Sequence, residues 1–308
     1  MQNSKAIYID YNVIHESASE KAPSRAEHPG PNQDHVSPST PVTIRIYGGR
    51  SPLFVPLHCH SDLEVIYARD CSISLIIDGN KTKMDPGGFA LISNGALHCA
   101  ALSAGQERRN VLSVFFREDY LTRMWPRLLD TDFGAPMADS AAEAGSHLSA
   151  LLEELLLRVK DTQEGEEPHF EANQLLFAIL QYVHYIYLPA PQRYSGRQRV
   201  MRDKMAEILD YMNRCYREDL TTQSVADRFV FTREYFCRLF KRYAGETFKS
   251  YLTGIRLAAV VERLRKSERG IGQIASDEGF PDEKSFFTAF KRAYGVTPAQ
   301  WRAANGAR

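Results

Sequence analysis

The sequence is poor in cysteine: Cys59, Cys71, Cys99, Cys215 and Cys237 are five in 308 residues, scattered and with no C-x-x-C pair. That argues against a disulfide framework and fits reduced thiols in a cytoplasm. No apolar run approaches the roughly eighteen residues of a membrane span, so no membrane partner is expected. The opening stretch MQNSKAIYIDYN has no basic segment leading into an apolar core, so no secretory signal is expected either. Net charge is absent too, since 38 Lys and Arg balance 38 Asp and Glu. What is present is ordinary soluble composition, 44% hydrophobic and 25% charged, at a length that provides for about two domains.

The zero net charge conceals a split. Residues 1–189 carry 15 basic and 24 acidic side chains, a net −9, and residues 190–308 carry 23 and 14, a net +9. A basic half joined to an acidic half suits a polyanion-binding module attached to something else; chance partition of surface charge would give the same count.

Pattern divides the chain further. Residues 16–41 are rich in Pro, Ser and charge and hold almost no large apolar side chains, so 1–41 is expected to be an N-terminal segment with a flexible arm. From Val42 short apolar stretches such as VTIRIY, LEVIYA, ISLIID and VLSVFF alternate with Gly, Pro, Asn and Asp, including a hairpin-like Asp78-Gly79-Asn80. This predicts a small β-barrel or sandwich over 42–130. Leu148, Leu151, Leu152, Leu155, Leu156 and Val159, then Leu175, Leu176, Ile179, Leu180, Val183 and Ile186, recur at helical spacing, predicting a helix pair within 140–188. Its apolar faces serve equally for packing on the barrel or for a homodimer interface. Residues 189–199 read as a linker, and 200–308 as helical throughout.

That last region contains a repeat. Val225-Ala226-Asp227-Arg228-Phe229-Val230-Phe231 recurs as Ile274-Ala275-Ser276-Asp277-Glu278-Gly279-Phe280. Tyr235 to Arg242 recurs as Ser285 to Arg292, and Gly245, Thr247 and Tyr251 recur as Gly295, Thr297 and Trp301. Each copy reads as a helix-turn-helix: a small residue lets two helices cross closely, a turn residue suited to positive φ follows, and Thr232 or Asp282 caps the next helix. Phe236, Leu239, Phe240 and Tyr243 form an apolar face in the first copy; Phe286, Ala289 and Phe290 form it in the second. The opposite face is the candidate DNA surface: Arg233, Glu234, Cys237, Arg238 and Lys241, then Glu283, Lys284, Phe287, Thr288 and Lys291. Arg and Lys hold phosphates or read guanine, Glu accepts from cytosine, and Phe or a Thr methyl meets a thymine methyl. A helical bundle with a merely solvated face is the bland alternative, and two such copies on a +9 segment weigh against it. Val230 stands where the second copy has Gly279, and a β-branched residue resists positive φ, so the first turn is expected to be distorted or to use another geometry.

On these residues the region from about 200 to 305 resembles the AraC/XylS-type transcription regulators, most closely in IGQIASDEGFPDEKSFFTAFKRAYGVTPAQWR, residues 271–302. The resemblance implies two helical subdomains joined by a long helix, about Lys249 to Lys266. Thr232–Tyr243 and Asp282–Ala293 would then enter successive major-groove segments about 10 bp apart. The richer basic face of the first copy is expected to supply more phosphate affinity, and the second to read a less charged half-site.

The barrel region carries one polar constellation. On a single strand, His58, His60, Asp62 and Glu64 would share the inward face while Cys59 points away. His98 follows a Gly-rich turn downstream, and the two segments look like the two cupin motifs, with Ser93 where the second usually has Pro. Three readings stay open: an effector pocket, a metal site able to hold Fe, Mn, Ni or Zn, or inherited structural residues. The family resemblance favours the first, with His58, His60, Glu64 and His98 binding a sugar or metabolite, no resident metal and no cofactor.

The expected fold is therefore α+β and multidomain: a cupin-like β-barrel, a trailing helix pair, and an all-α domain of two helix-turn-helix subdomains. The expected function is a sequence-specific DNA-binding transcription regulator, not an enzyme. Its partners would be promoter DNA, a small-molecule effector, a second copy of itself and RNA polymerase. A metal-dependent cupin enzyme with an accessory helical domain is the alternative.

Overall fold

A computed structural model describes residues 11–17, 42–48, 54–102, 110–125, 143–159, 170–187 and 196–305. Among the described residues nine strands precede the helices: β1 Tyr11–Ser17, β2 Val42–Gly48, β3 Phe54–His58, β4 Leu63–Ala68, β5 Ile73–Ile77, β6 Asn80–Met84, β7 Gly88–Ile92, β8 His98–Leu102 and β9 Asn110–Phe116. They form a five-stranded sheet in the order β1-β2-β9-β4-β7 and a four-stranded sheet in the order β3-β8-β5-β6. Glu16 and Ser17, read as the start of a flexible arm, belong to β1, which pairs parallel with β2; residues 18–41 lie outside the described residues.

Alternation along each strand decides which layer a side chain enters. In the five-stranded sheet Ile66, Ala68, Ala90, Ile92 and Val111 face the four-stranded sheet, meeting Ile73, Leu75, Ile77 and Met84. Leu63, Val65, Tyr67, Phe89, Leu91, Leu112, Val114 and Phe116 face the other way. They are covered by two helices that follow α1 (Glu118–Met124): α2 (Glu143–Val159) and α3 (Phe170–Tyr187). Leu148, Leu152, Leu155 and Leu156 of α2 and Leu175, Leu176 and Leu180 of α3 are buried there, each contributing about 1.5–3 kcal/mol. Tyr67 Oη donates to Glu153 at 2.9 Å and Arg69 pairs with the same carboxylate, tying the sheet to α2. The helix pair thus spends its apolar faces on the sheet. Ile186, read on that face, has no described side chain.

The hairpin at Asp78-Gly79 is a two-residue turn: Ile77 pairs with Asn80, and both turn residues have positive φ, 47° and 76°. That is the type I′ pattern such sequences favour.

Seven helices follow: α4 Gly196–Cys215, α5 Thr222–Arg228, α6 Arg233–Ala244, α7 Phe248–Lys266, α8 Ile271–Asp277, α9 Glu283–Tyr294 and α10 Pro298–Asn305. α4 begins inside the stretch read as a linker, so 196–199 are helical and 189–195 lie outside the described residues. The long helix α7 serves both subdomains. Its Phe248, Tyr251 and Leu252 join Phe236, Phe240, Met205 and Met212 in one core. Its Leu257, Val260, Val261 and Leu264 join Phe286, Phe290 and Trp301 in the other.

The first of these cores does not end at the helical domain. Leu57, Ile76, Leu97 and Cys99, on the outer side of the four-stranded sheet, are part of it. Tyr251 Oη donates to the Leu57 carbonyl at 2.8 Å, Arg242 Nε donates to the Gly79 carbonyl at 3.0 Å, and Gly245 lies against Ile76.

Candidate functional site

The two helix-turn-helix units have the same backbone wiring. In the first, Phe229 N, Val230 N and Phe231 N donate to Val225 O, Asp227 O and Ala226 O. In the second, Glu278 N, Gly279 N and Phe280 N donate to Ile274 O, Ser276 O and Ala275 O. Val230 sits at φ 61° and Gly279 at φ 85°. The expectation of another geometry in the first turn is therefore corrected: the turn hydrogen bonds impose left-handed backbone on a β-branched residue. The Val230 side chain is 90% exposed, so no packing offsets that strain.

Thr232 and Asp282 cap α6 and α9, accepting from Tyr235 N at 3.3 Å and Ser285 N at 2.7 Å, and Gly245 and Gly295 end the two helices in left-handed conformation. The capping satisfies first-turn amides that an α-helix leaves unpaired. Phe236, Leu239, Phe240 and Tyr243 are buried under α6, and Phe286, Ala289, Phe290 and Tyr294 under α9.

The opposite faces are exposed at every residue singled out from the sequence: Arg233, Glu234, Cys237, Arg238 and Lys241 on α6, and Glu283, Lys284, Phe287, Thr288 and Lys291 on α9. Phe287 is 39% exposed beside the Phe286 ring. Thr288 spends its hydroxyl proton on the Lys284 carbonyl at 2.7 Å. Glu283 is less free than its exposure implies, because its carboxylate lies over Gly272 of α8, where an added Cβ would collide with it.

Elsewhere in the helical domain several arginines are engaged by buried or partly buried carboxylates. Glu278, fully buried, accepts from Tyr216 Oη at 2.6 Å and Arg217 Nε at 3.0 Å and also pairs with Arg263; Asp277 pairs with Arg269 at 2.8 Å. Burial, with Glu278 accepting its proton, pushes the Tyr216 hydroxyl up to about 12. Among the described residues Arg233, Arg238, Lys241, Lys284 and Lys291 make no ion pair.

Glu278 and the barrel contacts of Arg242 and Tyr251 escaped the sequence reading. The signal for Glu278 was its mismatch with Phe229 in the first copy: one turn is plugged by a ring, the other by a carboxylate.

In the barrel, His58, His60, Glu64 and His98 do come together, though not on one strand. β3 ends at His58, the chain turns through residues 59–62, and Glu64 lies on β4. Val55 to His58 contains a bulge next to Pro56, which breaks the alternation. Asp62 therefore leaves the cluster, and its carboxylate accepts from Glu118 N at 3.2 Å. His58 pairs across to His98 on β8, and Gly95 N donates to His60 O at 2.8 Å, holding the turn before His98 against the His60 loop.

Each imidazole has its Nδ1 on a backbone carbonyl: His58 on Pro56 O at 2.8 Å, His60 on Asp62 O at 3.1 Å, His98 on Ala96 O at 2.9 Å. His60 Nε2 is 3.3 Å from Glu64 Oε2, and His98 Nε2 is 3.1 Å from the same oxygen but off the hydrogen-bond direction, so it is buried without a hydrogen-bond partner. Burial, with His98 and His60 beside it, holds His58 well below the ordinary histidine value. Burial also pulls His60 down, but its contact with Glu64 outweighs that and raises it. Burial pushes the Glu64 carboxyl up, and the imidazoles outweigh this and hold it well below the usual carboxylate range. Cys59 points away, into the core shared with the helical domain.

Two adjoining helix-turn-helix units with matched caps, turns and exposed faces define a helix-turn-helix DNA-binding protein. A helix-turn-helix domain family matches residues 225–304. An HTH-type transcriptional regulator of Bacillus subtilis, YdeC, is 19% identical over 259 residues, covering 82% of this chain and 87% of that protein. The transposon Tn10 TetD protein of Escherichia coli is 32% identical over 96 residues, 31% of this chain and 70% of that protein. The regulatory protein PocR of Salmonella typhimurium is 32% identical over 99 residues, and there the chain spans only 33% of the relative's length. The chain belongs to the AraC/XylS-type family of DNA-binding transcription regulators. Among the described residues no helix is long and apolar enough to cross a membrane.

Proposed function

We propose that this regulator binds a promoter through the exposed faces of α6 and α9 and is controlled by a small-molecule effector held in the barrel by His58, His60, Glu64 and His98. One observation carries the DNA half: five cations stand on those two faces with no ion pair, while Arg217, Arg263 and Arg269 are consumed by Glu278 and Asp277. Unpaired cations are free to replace counterions on phosphates. Arg233, Arg238 and Lys241 give α6 the larger share of that affinity. Lys284, Phe287 and Thr288 let α9 meet a less charged half-site.

The barrel half rests on connectivity. β3 turns His58 inward and Leu57 outward; β8 turns His98 inward and Cys99 outward. A ligand that shifts the histidines therefore shifts the residues packed against α6 and α7. An effector with different affinity for two such arrangements changes DNA occupancy. The protein acts in the cytoplasm as a regulator rather than an enzyme, in contact with RNA polymerase at the promoter. The breadth of apolar surface on α2 and α3 lends no support to a dimer, because the sheet covers it; the exposed Leu157 of α2 (49%) is where a second copy would be sought.

Genome-wide binding-site mapping supplies the operator. Arg238→Ala and Lys284→Ala should then each weaken binding by about 1–3 kcal/mol. An intact footprint in the double variant removes the assigned faces.

A further inference from the structure

The two helix-turn-helix units also meet away from the helix that joins them. Their apolar cores stay separate: α7 gives Phe248, Tyr251 and Leu252 to one and Leu257, Val260 and Leu264 to the other. Beside α7, a polar cluster crosses between the units and centres on Glu278, the residue that ends α8. Its buried carboxylate accepts from Tyr216 Oη at 2.6 Å and from Arg217 Nε at 3.0 Å, and pairs with Arg263 of α7. Tyr216 and Arg217 belong to the first unit, in the connection from α4 to α5. Arg256 of α7 fixes that connection in turn, donating from Nε to the Tyr216 carbonyl and from Nη2 to the Glu218 carbonyl, both at 2.8 Å.

The backbones close up at the same place. A Cβ on Gly279 would collide with the Arg217 backbone and the Tyr216 carbonyl, so the second turn touches the first unit at a distance that suits glycine. The first turn has no such neighbour, since Val230 is exposed. Phe229, the counterpart of Glu278, faces Tyr211 and Lys204 of α4 within its own unit. Two departures of the second copy from the first, Glu for Phe and Gly for Val, thus fall where it touches the other unit.

Stability alone does not call for a charge there. Burying a carboxylate is costly before its partners offset it, and a ring such as Phe229 fills the equivalent place without that cost. What the ion-paired cluster adds is direction, because donors from two units must converge on two oxygens. Fixing register is the best-attested use of buried polar and ionic groups. About α7 alone the second unit can swing; a second contact off the helix axis removes that freedom.

We infer that Glu278, with Tyr216 and Arg217, sets the spacing between the two DNA half-sites that the protein accepts, resting on the reading that α6 and α9 both enter DNA. These are positioning residues and touch no base. Moving one half-site by one base pair shifts it by about 3.4 Å along the duplex and turns it by about 35° around it. Clamped recognition helices cannot follow that movement, whereas helices held by α7 alone can.

The test compares full-length wild-type protein with the double variant Tyr216→Phe/Arg217→Ala. The variant removes the donors from the first unit but leaves Glu278 paired with Arg263, so the second unit keeps its buried charge compensated. Both proteins select sites from a random duplex pool. Affinity is then measured on the selected site and on duplexes with one base pair added or removed between its two blocks. Wild-type protein should select one spacing and lose about 10- to 100-fold on either altered duplex, the worth of one or two base contacts. The variant should select a mixture of spacings and lose less than about threefold, with its far-ultraviolet circular dichroism unchanged. Should the double variant not fold, Arg217→Ala alone, whose side chain is 54% exposed, should flatten the spacing profile in the same direction. A variant weakened by one common factor on every duplex overturns the positioning role, because lost stability or a lost phosphate contact of Arg217 has that effect. If wild-type protein selects a single block that Lys284→Ala binds equally well, α9 reads no DNA and the two-face reading falls together with this one. Two blocks at one sharp spacing in both proteins overturn the positioning role alone.

Discussion

Replacing Val230 by glycine should stabilise the first helix-turn-helix even though it deletes a side chain. Val230 is held at φ 61° by the turn hydrogen bonds and is 90% exposed. Left-handed backbone costs an L-residue about 1–2 kcal/mol, and glycine escapes this cost. Glycine loses about 0.5–1 kcal/mol to the greater freedom of its unfolded chain. No buried area is lost, so the net gain is about 0.5–1 kcal/mol. The mirror substitution, Gly279→Ala, has the opposite sign for two reasons. It places a Cβ at φ 85°, and that Cβ would stand 2.8 Å from Arg217 Cα and 2.9 Å from the Arg217 carbonyl, which are backbone atoms with little room to yield. A loss of about 2–3 kcal/mol is expected. Native-state hydrogen exchange of amides in α5 and α6, then α8 and α9, reads the two effects locally. Val230→Gly should slow exchange in the first unit roughly two- to fivefold, and Gly279→Ala should speed it in the second by more than tenfold. Faster exchange in α6 of Val230→Gly would show that the valine makes an unrecognised stabilising contact and would refute the strain assignment.

Three further outcomes follow from named contacts. Cys237 is the exposed cysteine among five free ones, while burial pushes the Cys99 thiol up to about 12; a maleimide should label Cys237 first, and operator duplex should slow that labelling, whereas equal rates with and without DNA would place α6 outside the groove. Tyr251→Phe leaves the Leu57 carbonyl without its donor and should cost about 1–3 kcal/mol in thermal unfolding of the full chain, uncoupling the barrel from operator affinity while leaving ligand binding in place. Glu278→Gln removes the charge that Tyr216, Arg217 and Arg263 share; because both arginines are partly exposed the cost is about 2 kcal/mol, read as lower exchange protection in α8 and α9, and an unchanged second unit would count against Glu278 as its keystone.

How far each feature was legible depended on whether its cause was local. The caps Thr232 and Asp282, the I′ hairpin at Asp78-Gly79 and the two apolar helix faces are fixed by neighbours within a few residues, and the sequence displays them directly. The repeat made the turn position comparable between copies, which is why Val230 stood out; periodicity could not say that the hydrogen bonds would win over the side chain. The barrel histidines were found through strand alternation, yet they converge because a bulge at Pro56 and a loop at residues 59–62 replace the single strand that alternation assumed. Asp62 was lost for the same reason. The role of the helix pair could not be read, since packing on a sheet and packing on a second chain demand the same leucine spacing. The contacts of Arg242 and Tyr251 with the barrel join residues 163 and 194 positions apart, and no local pattern encodes them.

The core that Leu57, Ile76, Leu97 and Cys99 share with α4, α6 and α7 bears on how such proteins exchange parts. A chimaera that grafts this DNA-binding half onto a foreign sensor exposes the rings and aliphatic chains these four residues now cover, and leaves Arg242 without the Gly79 carbonyl. Such a graft therefore needs compensating changes on the faces of α4, α6 and α7 that these four residues cover.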